Sequence, residues 1–313
     1  MSLGELDFIE ALRTFATHPA ARGLADDAAV LGDLVLTHDS IAEGVHFLPD
    51  DPPASVGWKL VAVNLSDLAA KGAEPLAALM SVTISGDGVW EEGFLAGVAA
   101  ACEAYNLPLV GGDTIALPIA APRVLGLTAI GRGGGYVPAR SGGRPGDRLW
   151  LVGTLGDAAA GLAVLKADRH AEGVLVEAYR RPVPLLAAGR AFAPHAHAMM
   201  DVSDGLLLDL SRLCAASGCG AALDLDALPL TRAFIAERGQ HRAARLFAAT
   251  GGDDYALLAA CAPGLDPLTL CLPAGAKVTA IGHLTDGGGI GLSDAAGEVP
   301  LPERLGYEHH HRT

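Results

Sequence analysis

The chain has 313 residues, half of them hydrophobic and 19% charged, which suffices for two domains with substantial cores and excludes a disordered chain. Its 36 acidic against 22 basic side chains leave a formal charge of −14, without the basic footprint of a nucleic-acid binder. A phosphate-bearing ligand must then be recruited through metal ions, local arginines or backbone N–H groups.

Met1 to Phe15 mixes Glu5, Asp7, Glu10 and Arg13 with apolar residues in the pattern of an amphipathic helix, not of a secretory signal. A short strand is expected over 34–37, an almost wholly apolar helix over 55–71 and a strand over 76–85. A helix over 90–105 and a strand over 124–131 follow. The Gly-rich stretch 131–135 then leads into Arg140-Ser141-Gly142-Gly143-Arg144-Pro145-Gly146-Asp147. Such turn-forming punctuation sets a domain boundary, dividing the chain into 1–137 and 138–313. Beyond it come a strand over 148–152, a helix from Asp157 and Ala-rich helical stretches over 172–192. A strand near 198–200, a helix over 205–216 and strands over 255–260 and 277–281 complete the order. This alternation predicts two α/β or α+β domains. No apolar run reaches membrane-spanning length. Five scattered cysteines without a C-x-x-C pair read as buried or free thiols in a reducing cytosol, so a cytoplasmic protein is expected. His309-His310-His311, followed by Arg312-Thr313, reads as native sequence.

The chemistry lies in aspartates at element ends: Asp26-Asp27, Thr37-His38-Asp39, Asn64-Leu65-Ser66-Asp67, Gly111-Gly112-Asp113-Thr114, Asp201-Val202-Ser203-Asp204-Gly205 and Gly251-Gly252-Asp253-Asp254-Tyr255. Taken singly, most have an ordinary explanation, since Asp caps helices and makes turns. Asp67 is different, because its helix is apolar on nearly every side and a carboxylate there carries a large desolvation cost unless paired or coordinated. Asn64 and Asp67 share one face with Lys71 a turn further on, so either an Asp67–Lys71 ion pair or a hard cation is expected. Several such aspartates converging would make a multi-metal phosphate site. There is no G-x-x-x-x-G-K-[ST] loop, no kinase Gly-rich loop with V-A-I-K and no H-R-D loop. His195 and His197 lack nearby Cys or Glu for zinc, and Cys102 and Ser203 lack a nucleophile elbow.

In order, these strings resemble the thiamine-monophosphate kinase family, within the superfamily of aminoimidazole ribonucleotide synthetase. The match runs through Asp26-Asp27-Ala28-Ala29, Asp39 with Glu43-Gly44-Val45-His46-Phe47, and Asn64 to Ala70. It continues through Gly111 to Thr114, Arg140-Ser141-Gly142, Pro145-Gly146-Asp147, Asp201 to Leu206, Gly251 to Tyr255 and Gly306-Tyr307-Glu308-His309. The resemblance implies a two-domain α/β (α+β) fold whose N-terminal domains pair across a homodimer into a β-barrel. It implies direct in-line transfer from ATP to thiamine monophosphate with several Mg²⁺ ions, a monovalent cation being a further candidate. The Mg²⁺ ligands it implies are Asp27, Asp39, Asp67, Asp113 and Asp204, with Thr37 assisting and Asp201 as a further candidate. Gly112, Asp113, Arg140 and Ser203 are implied to bind ATP, and His46, Asp253 and Tyr307 the thiamine phosphate. No residue is assigned covalent catalysis, and neither nucleic acid nor membrane is an expected partner.

Three departures stand out. Ala25 precedes Asp26-Asp27 where the family carries Gly, His38 replaces a Thr or Ser, and Asp253-Asp254-Tyr255-Ala256 replaces Glu-Asp-Tyr-Glu. The last shortens the acceptor-side carboxylate by one methylene. It keeps open a weaker kinase or another acceptor within the superfamily; a nucleotide- and metal-binding homologue without catalysis is a separate alternative, against which the full set of metal aspartates argues.

Overall fold

A computed structural model of the protein describes residues 4–118 and 121–308. Met1 to Leu3 of the expected first helix, and His309 to Thr313, lie outside the described residues. The first half comprises α1 (Glu5–Arg13), β1 (Ala29–Leu31), β2 (Leu34–Ala42), α2 (Pro53–Ala70), β3 (Glu74–Ile84), α3 (Gly88–Ala104), β4 (Leu109–Ala116) and β5 (Val124–Arg132). Its strands form one sheet in the order β1-β2-β5-β3-β4, antiparallel except for the β3–β4 pair.

The second half begins with β6 (Arg148–Val152), α4 (Asp157–Ala167), α5 (Val174–Arg180), α6 (Leu186–Phe192), β7 (Ala196–Val202), α7 (Leu206–Ser217) and β8 (Gly220–Asp224). It continues with α8 (Arg232–Arg238), α9 (Arg242–Thr250), β9 (Ala256–Cys261), β10 (Val278–Thr285), β11 (Ile290–Asp294) and β12 (Gly297–Val299). These strands form a second mixed sheet, ordered β12-β11-β8-β10-β6-β9-β7. The expected helical stretch 172–192 splits into α5 and α6 because Pro182 and Pro184 cannot continue a helix.

The apolar helix expected over 55–71 is α2, started by Pro53 in its first turn and stopped at Gly72, whose φ of 60° is left-handed. It is buried on almost every side because it packs against β2 and β5 of the first sheet, α3, α6 and β7 of the second. The second sheet alternates accordingly. Trp150, Val152, Met199, Leu257 and Ala259 face the core shared with α2, while Leu149, Leu151, Met200 and Leu258 face a separate core with α7 and α9. Polar groups on α2 thus lie at the seam between the two halves. Among the described residues no helix is long and apolar enough to cross a membrane.

Candidate active site

Strand alternation puts Thr37 and Asp39 of β2 on the face toward α2, and His38 on the other, where its Nδ1 lies 2.8 Å from Thr128 Oγ1. On α2, Asn64 accepts the Asp39 N–H at 2.9 Å and donates to the Leu60 carbonyl, which locks it. Asp67 accepts the Thr37 hydroxyl, and Ser66 donates to Asp201 Oδ2 at 2.5 Å. One carboxylate oxygen from each of Asp27, Asp67 and Asp201 falls within 4.8 Å of the others.

The Asp67–Lys71 pair that the sequence left open does not form. Lys71, fully buried, reaches Asp26 Oδ1 at 2.5 Å, Asp27 Oδ2 at 2.8 Å and the Met199 carbonyl at 2.9 Å. Burial works to raise Asp26, but Lys71 and Arg22 together hold it below the usual carboxylate range. Arg140 Nη2 sits 2.5 Å from Asp27 Oδ1. The Lys71 contact with Asp27 Oδ2 is one of charge without hydrogen-bond alignment, and that buried oxygen has no hydrogen-bond donor among the described residues.

Among the described residues Asp67 has no cationic partner. Burial, then Asp39, Asp201 and Asp27, push it well above the ordinary carboxylate range. Burial and Asp27 do the same to Asp201. Burial, with Asp27 and Asp204 adding to it, pushes Asp39 up to about 6 although the His38 charge opposes it. An all-oxygen set of crowded carboxylates, one with an orphaned oxygen, fits a hard divalent cation such as Mg²⁺.

Beside this cluster lies a cavity of about 320 Å³, lined by Asp39, His46, Ser203, Asp204, Asp253 and Tyr307 among others. The Ser203 carbonyl accepts the Asp253 N–H at 2.7 Å, and the Asp204 carbonyl accepts the Tyr307 N–H at 2.9 Å, which brings the loop after α9 and the C-terminal segment to one wall. Asp204 is held by Arg212 at 2.5 Å. Asp209 accepts the Asp204 and Gly205 N–H groups, and burial followed by the Asp204 charge pushes it up to about 7.

Of the residues expected from the sequence, Asp27, Thr37, Asp39, Asp67, Asp201 and Asp204 line the seam, and Arg140 borders it through Asp27. His46, Ser203, Asp253 and Tyr307 share the cavity. Gly112 and Asp113 stand apart. They lie on β4, an edge strand exposed at every residue, with β5 and β3 between it and β2, about 14 Å from Asp39 by strand spacing. Ala25 costs its turn nothing, because its φ of −123° needs no glycine; the left-handed residues are Arg22, Gly23 and Leu24. Sequence reasoning gave no role to Lys59, Ser66, Tyr255 or Arg212. A lysine among the apolar residues of α2 was the available signal for Lys59.

The AIR synthase related protein N-terminal domain matches residues 25–132, and the C-terminal domain of the same family matches 144–295. The thiamine-monophosphate kinase of Caulobacter vibrioides is 37% identical over 305 residues, covering 93% of this chain and 86% of its own. That of Salmonella typhimurium is 40% identical over 254 residues, covering 75% and 74%. Among solved structures, AaThiL complexed with AMPPCP and TMP superposes with a TM-score of 0.86 at 30% identity, covering 98% of this chain and 97% of that one.

Proposed function

The chain belongs to the thiamine-monophosphate kinase family, and from that premise we propose that it transfers the γ-phosphoryl group of ATP directly, in line, to thiamine monophosphate. One observation carries the reading. The cavity that gathers His46, Asp253 and Tyr307 opens on Asp39 and Asp204, beside the crowded carboxylates of Asp27, Asp67 and Asp201.

Asp27, Asp39, Asp67, Asp201 and Asp204, with the Thr37 hydroxyl, are the groups that would hold Mg²⁺. Several Mg²⁺ ions, when bound, supply the positive charge that offsets the phosphates of both substrates. The rest falls to the chain itself, since phosphoryl transfer asks mainly for positioning and charge. Arg140 is placed to exchange its Asp27 contact for a nucleotide phosphate, and Ser203 to contact the ATP. Tyr307 offers an aromatic face to a thiamine ring, and His46 and Asp253 bind the acceptor. Residues 1–137 act as the nucleotide, metal and pairing domain, and 138–313 as the second domain.

The same reading extends to a homodimer formed through the first sheet. The exposed Leu109, Val110 and Ile115 of the edge strand β4, with Leu79 and Ile84 of the neighbouring β3, leave apolar surface at that edge of the sheet that water would otherwise cover. Gly112 and Asp113 share that edge, so their ATP and metal roles are exercised across the pair.

The test is the purified protein with ATP, Mg²⁺ and thiamine monophosphate, scored for thiamine diphosphate. Product formation is expected. No product with ATP unchanged overturns the reading, and product from free thiamine reassigns the acceptor.

A further inference from the structure

One buried ammonium joins the two walls of the acceptor cavity. Lys59 of α2 is only 2% exposed. Its Nζ donates to the His46 carbonyl oxygen at 2.9 Å and to Asp253 Oδ2 at 2.9 Å, and lies 4.1 Å from the centroid of the Tyr179 ring. The three neighbours come from the loop after β2, the loop after α9, and α5. They use the three N–H directions of the ammonium.

The loop that carries Asp253 needs such a tie. Asp253 and Tyr255 both have positive φ, 68° and 50°, a conformation that non-glycine residues keep only when their surroundings over-determine it. Backbone bonds from Asp253 to Ser203 and from Tyr255 to Val202 hold the main chain. Two side-chain contacts then fix the carboxylate: Oδ2 meets Lys59, and Oδ1 accepts the Tyr255 hydroxyl at 3.0 Å. Burial and the Asp253 charge push the Tyr255 phenol well above its ordinary range, which keeps it an O–H donor.

We propose that Lys59 is the positioning residue for acceptor recognition: it ties the His46 turn of the first half to Asp253 of the second and presents the carboxylate at a fixed angle to the cavity. The ion pair is neutral as a whole. It therefore selects an N–H group on the acceptor through the lone pairs of Asp253 that Lys59 and Tyr255 leave over, rather than a cation through net charge. The shortened side chain at position 253 fits this arrangement, since the lysine comes to the carboxylate. The inference rests on the kinase reading for the identity of the acceptor.

The test compares Lys59→Met, Lys59→Arg and Asp253→Asn with the combination of Lys59→Met and Asp253→Asn. Lys59→Met is expected to raise the KM for thiamine monophosphate by about 10- to 100-fold, the equivalent of one charge-assisted hydrogen bond. The KM for ATP should move by less than about twofold on that scale, and Lys59→Arg should recover part of the loss. In the Asp253→Asn background, Lys59→Met should add little, because the group it acts through is already gone. Equal rises for both substrates, or full additivity in that background, overturn the assignment. Where Lys59→Met alone does not fold, the comparison of Asp253→Asn with the double variant, in which neither charge remains, settles the assignment by the same criterion. Binding of thiamine monophosphate without ATP is measured alongside by calorimetry. A wild type that neither binds nor phosphorylates it overturns the kinase reading and the assignment with it. A working wild type with Lys59→Met unchanged overturns the assignment alone.

Discussion

Asp67 shows how a single side chain can carry opposite demands. It is crowded by Asp39, Asp201 and Asp27, and its only hydrogen-bond donor among the described residues is the neutral Thr37 hydroxyl. Removing its charge should therefore relieve the metal-free fold while disabling the site. Asp67→Asn is expected to melt no lower than the wild type, yet to lose at least about 100-fold in kcat, as for a lost metal contact or transition-state donor. Near-normal turnover would remove Asp67 from the metal set. That Asp67 is buried in apolar surroundings was legible in the sequence, because its helix is apolar on nearly every side. The partner of Lys71 was not. The i,i+4 rule pairs it with Asp67, but Lys71 is the C-cap, with φ −103° and ψ 3°, so its side chain leaves that helical row for Asp26 and Asp27.

At the scale of elements, α2 places its polar residues only because its neighbours come unusually close. A Cβ at Gly189 of α6 would collide with the Ala69 carbonyl oxygen, two residues from Asp67. Gly189→Ala should therefore push α6 off α2 and cost about 1–3 kcal/mol in denaturant unfolding, as overpacking does. Gly134→Ala, where nothing lies within 4 Å, is the silent control. A Gly189→Ala protein as stable as the control would show that α2 is not held by this approach. The long apolar elements were legible from periodicity, whereas β4 was not. Gly111 and Gly112 have weak strand propensity, and a strand forms there because β3 comes so near that a Cβ at Gly112 would strike the Met80 carbonyl. Short α8, and β8, β11 and β12, were likewise hidden, being too brief to establish a period of their own, whereas α9, as long as α1 and amphipathic, was legible and passed over.

Across the whole molecule, the charge of −14 and the carboxylates at the seam pose one electrostatic question. Asp39 is raised to about 6 from 3.8, and Asp67 and Asp201 are also raised well above the ordinary carboxylate range, so at these sites the metal-free fold binds more protons than the unfolded chain. By linkage their contribution to stability falls as pH rises from near 4 through about 6 and beyond. Asp26, held low by Lys71 and Arg22, acts the other way and loses its contribution as pH falls below its usual range. Absolute stability against pH therefore mixes both signs, and the metal-dependent difference separates them. A Mg²⁺ ion held at the seam would have to displace the protons on Asp39, Asp67 and Asp201, so its stabilisation should be small near about pH 5 and grow towards about pH 8. At about 100 times its dissociation constant it would add about 2.7 kcal/mol at the upper end. Melting temperatures with and without Mg²⁺ at the two pH values decide the matter. An equal shift at both would mean that the ion is held elsewhere, and that the crowded carboxylates at the seam serve only the fold.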